Sequence, residues 1–486
     1  MHQEQLPAPS TPIVTPGDRE IGGNAICTIL ASNYISFGRV LTKSFKKYNP
    51  GIPVFILLID EPHAELASIT DDFKLIKLED LQYPQITSLL FKYNILEVCT
   101  AIKPYLLQYL FQKYKIRKLA YFDPDILFTN SIDEIWKLLD EYSIVLTPHL
   151  TEPIPVDDVC RPTEIELLKC GTYNLGFIGV ANNERVRGFL EWWKERLDYY
   201  CFRDHAFLFV DQKWIDLIIG YYDDVYILRD PAFNVAYWNL QSRDLQLGED
   251  GISVNGRPMK FFHFSGLVME DPISVSKYQN RYTLKDLRHL IPLFEGYKRQ
   301  VIICGYQKTK KIPYAFDHFD NGIKICEYVR KLYLRESKRD NRFGNPFKVD
   351  CEHSYFKWLN DFISNEGDVI PVSNLWYSIY RERPDVQAAY PDIFKSEACR
   401  RAFLEWCINF GKNEYEIDDV FLEPVYRVLK IPPPDRVKAV FGGRRAPLSL
   451  LYNFMATMVV RIFGRNSMII RRLTLIKQGL MLMFKS

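Results

Sequence analysis

No two cysteines of this chain stand in a CxxC spacing, although it has ten of them. Most lie inside apolar periodic segments, as Cys27 does in Ala25-Ile26-Cys27-Thr28-Ile29. That usage argues against a disulfide framework or a cysteine zinc site, and for reduced core thiols in a cytosolic protein. Charge of one sign is also missing overall. The formal net charge is only +2, which excludes a nucleic-acid binder that works through its overall field. The opening MHQEQLPAPSTPIVTPGD has neither a basic n-region nor an apolar h-region, so it does not read as a secretory signal. Its proline and polar content marks residues 1–23 as a disordered lead-in. No internal repeat is visible.

The last stretch, 436–486, lacks acid altogether. It has no Asp or Glu and ten Lys or Arg. Its apolar residues recur at helical spacing, among them Leu451, Met455, Met458, Ile462, Ile469, Leu473, Ile476 and Leu480. The longest uncharged run of that stretch, Ala446 to Val460, falls short of the ~20 residues that span a bilayer. A basic amphipathic tail of this kind lies on an anionic membrane surface, here the inner face of the plasma membrane, or packs on the protein's own body.

What the chain does have is core material: 47% hydrophobic and 14% aromatic residues over 486 positions. That length exceeds one core and predicts a large α/β domain at 24–280 and a mainly helical region at 281–435. AICTILA (25–31) and PVFILLID (53–60) are short, continuously apolar and bounded, as strands buried on both faces are. KLIKLEDL (74–81) is a weaker third. Phe37, Val40, Leu41 and Phe45 recur at helical spacing, and Asn49-Pro50-Gly51 ends that helix. Residues 95–114 are predicted helical, with Pro104 at a start or a kink. RKLAYFDPDILF carries the next strand, TYNLGFIGV (172–180) another, and the run FFHFSG (261–266) a last one. Helices are expected over 188–199, 210–219, 322–336, 353–363, 373–381 and 396–410. Strands alternating with helices imply a parallel, Rossmann-like sheet.

Ligands bind outside the carboxyl ends of strands in such sheets. Asp123 and Asp125 fall at such an end, and Pro124 between them stops the strand. Two carboxylates turned to one point suit a hard divalent cation that keeps positions open for substrate phosphates. The alternative is a plain turn or helix cap. His263 also ends an apolar run, before Gly266, and a neutral imidazole can complete a Mn²⁺ shell. Alone it reads as a hydrogen-bonded core histidine.

Six ordered segments carry a resemblance: ICTILASNYISFGRVLTKSF (26–45), AIKPYLLQYLF with YFDPDILF (101–128), NLGFIGV (174–180), FVDQKWIDL (209–217), NVAYWNL (234–240) and FFHFSG (261–266). Together the chain resembles nucleotide-sugar-dependent glycosyltransferases of the GT-A fold, of the GT8-type, glycogenin- and galactosyltransferase-like group and its bacterial relatives. The resemblance implies Mn²⁺ or Mg²⁺ held by Asp123, Asp125 and His263. It implies a UDP-sugar donor whose nucleotide sits on Ala31, Ser32, Asn33 and Tyr34. Lys103 would face the donor, or be a surface lysine. Asn174, Gly176 and Gly266 would line the donor pocket. Asp211 and Gln212 would sit at the sugar and acceptor as catalytic residues, unless Asp211 merely opens a helix. Trp238 and Asn239 would form an acceptor platform, unless Trp238 is core. The resemblance further implies hexose transfer, with retention, to a glycan or lipid-linked acceptor. The Lys-Pro-Trp that follows the histidine in that group is absent. LVMEDPISVSK stands there, with Lys277 and Arg281 at non-matching positions. Two other readings remain open: a non-catalytic nucleotide-sugar or glycan-binding protein that keeps the fold, and a metal-dependent phosphohydrolase.

Overall fold

The computed structural model describes residues 21–61, 63, 72–203, 207–249, 251–339, 342–365 and 368–441. The lead-in up to residue 20 and the tail from residue 442 lie outside the described residues. Within them the chain divides into two units, meeting between Asp317 and His318.

The first unit is built on a seven-stranded sheet. Its strands are β1 (Asn24–Leu30), β2 (Val54–Leu58), β3 (Lys74–Lys77), β4 (Lys118–Phe122), β6 (Ile144–Pro148), β7 (Tyr173–Ala181) and β8 (Val225–Ile227), with β5 (Ile126–Phe128) set apart from it. The order is β3-β2-β1-β4-β7-β6-β8. All pairings are parallel except those of β7, which runs antiparallel to β4 and β6. The expected Rossmann-like half is therefore present, and the sheet as a whole is mixed. β2 is buried along its whole length, as its unbroken apolar run predicts for a strand covered on both faces. β4 is buried throughout as well, including Lys118, whose Nζ donates to Trp136 O at 2.7 Å.

The helices of this unit are α1 (Ile35–Tyr48), α2 (Ile86–Lys92), α3 (Ile95–Ala101), α4 (Lys103–Tyr114), α5 (Asp133–Glu141), α6 (Glu164–Cys170), α7 (Glu184–Leu197), α8 (Gln212–Ile215), α9 (Ile291–Ile303) and α10 (Tyr306–Thr309). The helix expected over 95–114 is in fact two. α3 opens on an Asn94–Glu97 capping box, and α4 restarts with Pro104 in its first turn, where a missing N–H costs nothing. The helix expected over 210–219 shrinks to α8 and a 3-10 turn, and Val210 just before it has φ +42°.

Two short strands place the candidate site. β12 (Phe261–His263) pairs antiparallel with β5 and sets His263 opposite Ile126. Between β5 and β12 in sequence lies a small antiparallel sheet of β9 (Leu245–Gly248), β10 (Gly251–Val254) and β11 (Arg257–Pro258). Phe122, Phe128, Phe177 and Phe261 form an aromatic cluster, with ring centroids 4.8 Å apart for Phe122–Phe128 and 5.3 Å for Phe122–Phe261. These rings flank the Asp123–Asp125 turn on both sides in sequence, so core packing fixes where the turn points.

The second unit, 318–441 as described, is mainly helical. It contains Glu327–Arg339, Tyr355–Asn360, Asn374–Glu382, Glu397–Trp406 and Glu423–Leu429. The helix expected over 353–363 ends at Asn360, and the strands Phe362–Asn365 and Asp368–Ser373 form an antiparallel hairpin that the sequence reading did not foresee.

Candidate metal and donor site

The strand β4 ends at Phe122, and the chain turns through Asp123-Pro124-Asp125. The Asp123 N–H donates to the Gly176 carbonyl of β7 at 2.8 Å, which extends the ladder by one bond. Ile126 N–H then donates to Asp123 O at 3.3 Å and closes the turn. On the far side, Phe264 N–H donates to Asp125 O at 2.9 Å and His263 N–H to Val235 O at 2.7 Å. Backbone bonds alone thus bring residues 123–125 and 263 together.

Their side chains converge. His263 Nε2 lies 3.1 Å from Asp125 Oδ1 and 3.7 Å from Asp123 Oδ2. One ligand atom from each residue falls within 4.8 Å of the others. Two carboxylate oxygens and one imidazole nitrogen are the donor set a hard-to-borderline divalent cation takes. The imidazole is 3% exposed, whereas the Asp123 side chain is 31% exposed, so the cluster opens to solvent on the carboxylate side. Burial works to lower the His263 pKa. The carboxylates of Asp125 and Asp123 outweigh it, and the pKa is raised. A metal takes the neutral imidazole, so a proton and a bound cation at His263 exclude each other.

Gly176 is part of this geometry. A Cβ there would stand 2.3 Å from His263 Cε1 and 2.7 Å from Nδ1. The imidazole therefore occupies the space that any side chain at position 176 would need. Gly266, at φ +71°, is equally constrained, because a Cβ would meet the Tyr278 ring at 2.5 Å.

Behind the carboxylates lies a closed polar frame. Lys103 Nζ is 2.7 Å from Asp211 Oδ2 and 4.0 Å from Asp123 Oδ1, donates to Leu175 O at 2.8 Å, and sits 4.4 Å from the centre of the Tyr121 ring. Burial alone would lower its pKa. The carboxylates, Asp211 first, raise it and keep the ammonium charged. Lys103 is 2% exposed, so the surface-lysine alternative does not apply. Asp211 precedes α8 and makes no side-chain cap to it, so its partner is Lys103.

Gln212 is held at both ends. Its Oε1 accepts from Leu175 N–H at 3.2 Å and its Nε2 donates to Cys170 O at 2.9 Å. Asn174 is similarly engaged. Its Oδ1 accepts from Gly176 N–H at 3.2 Å and from Asn234 Nδ2 at 3.0 Å, and its Nδ2 faces His149 Nε2 at 3.3 Å. Trp238 is 3% exposed and meets the His263 ring edge-on at 5.2 Å, a core position. Arg281 is taken by Asp158.

Ala31, Ser32, Asn33 and Tyr34 follow β1, the strand next to β4, so this loop borders the same sheet edge. Ser32 Oγ and Asn33 Oδ1 are buried and find no hydrogen-bond partner among the described residues. Tyr34 is 42% exposed and its ring stacks on Phe37 at 4.6 Å.

Four polar residues around the site were not singled out from the sequence: Asp60, Tyr121, His149 and Asn234. Tyr121 donates its hydroxyl to Asp123 Oδ1 at 2.7 Å, leaving Oδ2 on the side of His263. Burial pushes the His149 imidazole down to about 4, so it is neutral at ordinary pH. Asp60 and His149 each end an apolar strand run, the same signal that marked Asp123.

The class that these elements define is an α/β fold on a mixed, mainly parallel sheet with an Asp-Asp-His cluster at a strand end, followed by a mainly helical region. No family model matches the chain. Among curated proteins it is similar to two uncharacterised proteins of Bacillus subtilis strain 168. YfnF is 26% identical over 50% of this chain and 81% of its own length, and YfnD is 20% identical over 61% and 93%. Among solved structures it is similar to the galactosyltransferase LgtC in complex with donor and acceptor sugar analogs. That match has 16% identity and a TM-score of 0.34, over 60% of this chain and 97% of that one. The glycosyltransferase GlyE of Streptococcus pneumoniae TIGR4 matches at 14% identity and a TM-score of 0.34, over 61% and 66%. Mouse xyloside xylosyltransferase 1 matches at 14% and 0.30, over 50% and 97%. Among the described residues no helix is long and apolar enough to cross a membrane.

Proposed function

We propose that this protein is a metal-dependent glycosyltransferase that moves a hexose from a nucleotide-diphosphate sugar, UDP-linked, to a glycan or lipid-linked acceptor in surface polysaccharide biosynthesis. The observation that carries the proposal is the convergence of Asp123, Asp125 and His263 at the carboxyl edge of the sheet. Asp123, Asp125 and His263 would hold Mn²⁺ or Mg²⁺. Such an ion, when bound, neutralises charge on the departing diphosphate.

This chain's own residues do the rest. The exposed face of Tyr34 offers a stacking surface for a nucleobase. The unpartnered Ser32 and Asn33 oxygens offer hydrogen-bond acceptors beside it. Lys103, kept charged by Asp211, places a buried cation behind Asp123. Asn174 and Gln212, each braced on both polar ends, form a fixed wall for the sugar. Such preorganised polar groups stabilise developing charge without reorganising. Retention of anomeric configuration, attachment of the tail 436–486 to an anionic membrane surface, and a place on the cytoplasmic side belong to the same reading.

The test is Asp125→Ala. Nucleotide release from a panel of sugar nucleotides with Mn²⁺ should fall by at least ~10²-fold with the fold intact. Full activity in that variant defeats the assignment.

A further inference from the structure

Asp60 stands two residues beyond β2 and is 6% exposed. Its carboxylate binds three main-chain donors from three separate segments. Oδ2 accepts from Ser32 N–H at 3.2 Å. Oδ1 accepts from Glu61 N–H at 3.0 Å and from Ala315 N–H at 3.0 Å. Among the described residues no lysine or arginine pairs with it. A buried carboxylate is costly unless its charge is met, and here three peptide dipoles meet it. One carboxyl group therefore clasps its own strand end, the loop after β1, and a segment 255 positions further on.

What the clasp holds is the loop Ala31–Tyr34. Ser32 gives its N–H to Asp60, while its own Oγ and Asn33 Oδ1 remain buried and without a partner among the described residues. Buried polar atoms without partners are uncommon, and at a sheet edge they mark a place kept for a ligand. We infer that Asp60 is a positioning residue: it presets the loop 31–34 to receive the nucleoside part of the donor, and it touches neither donor nor metal itself. This rests on the proposed transferase reading and adds a residue to it. The metal cluster is carried by β4, β5 and β12, which Asp60 does not touch, so the two halves of the donor site separate experimentally.

The experiment is Asp60→Asn in the full chain. Asparagine keeps the shape but replaces one acceptor oxygen by an NH₂, so one of the two sets of N–H donors faces a donor. Steady-state nucleotide release with Mn²⁺ should show the donor KM raised by ~10- to 10²-fold, with kcat within about twofold of the wild type. UDP binding by calorimetry should weaken in parallel, and Mn²⁺ affinity measured without nucleotide should be unchanged. Should Asn lower the melting temperature too far, Asp60→Glu keeps the charge, shifts it by one methylene and carries the same test. An unchanged KM in a folded variant overturns the inference. So does an equal loss of kcat and of Mn²⁺ affinity, which would mean general damage. A wild-type protein that neither binds UDP nor releases nucleotide from any donor overturns the parent reading, and this one with it.

Discussion

The first unit holds two acidic sites that meet at one residue, Asp123, and they are built in opposite ways. At Asp123, Asp125 and His263, two carboxylates share one imidazole, and the side chain of Asp123 is 31% exposed. At Lys103 and Asp211, one ammonium meets one carboxylate, each 2% exposed, with the Leu175 carbonyl as a further acceptor. The open site has an excess of negative charge and room beside it. The closed site is balanced and has neither. The first is arranged to take a cation from outside; the second already contains its own. Folding places the balanced pair behind the unbalanced one, so the exposed carboxylates lean on a rigid wall.

The largest expected effect breaks the closed site. Lys103→Met leaves Asp211 buried without its counter-charge. Breaking a buried pair by removing one partner costs about 3–5 kcal/mol. Urea unfolding should show a loss of that size, whereas Asp125→Ala at the open site should cost less, because the imidazole it leaves can release its proton and become neutral. If Lys103→Met costs under about 1 kcal/mol, the pair is no stronger than a surface ion pair and the contrast between the sites disappears.

The next effect acts on the open site through the backbone. Gly176→Ala adds a methyl 2.3 Å from His263 Cε1, closer than carbon atoms approach, so the ring must swing away from the carboxylates. Mn²⁺ affinity, measured by calorimetry without nucleotide, should fall about 10–100-fold, as it does when the orientation of a ligand is disturbed. An unchanged affinity would mean that His263 is not a ligand, and the open site would reduce to a pair of carboxylates in a turn.

The sequence made the open site legible and left the closed one hidden, for a physical reason. LAYFDPDILF announces a buried strand that ends in acid, and FFHFSG announces another apolar end with a histidine. Each signal is local. Their meeting comes from the pairing of β5 with β12, which no local signal shows; the resemblance implied only that the three residues share a metal. Lys103 and Asp211 carry no such signal. A lysine in the first turn of a helix and an aspartate before another helix look the same whether they face water or each other. Only the packing of α4 beside β7 and α8 decides, and that is tertiary. The hairpin Phe362–Ser373 was lost for a similar reason, since its strands are short and follow a helix without a break. Asp60 was legible in principle, since it ends PVFILLID as Asp123 ends its own strand. What hid it was its partners: three main-chain N–H groups leave no mark in a sequence.

The smallest effect separates the sites by pH. His263 has its pKa raised in the metal-free fold, because Asp125 and Asp123 overcome the burial that would lower it. A raised histidine pKa contributes stability that is fully present below the unfolded value of 6.5. That contribution is lost as pH rises through the folded value. Metal-free protein should therefore melt at a slightly lower temperature as pH is raised from 6 through that value. Mn²⁺ must displace the same proton, so its apparent affinity should rise over the same interval and its stabilising effect should grow. His263→Gln should flatten both trends together, since the titrating group is gone. A trend that survives in His263→Gln would assign the titration to another group and remove the proton-for-metal exchange that distinguishes the open site from the closed one.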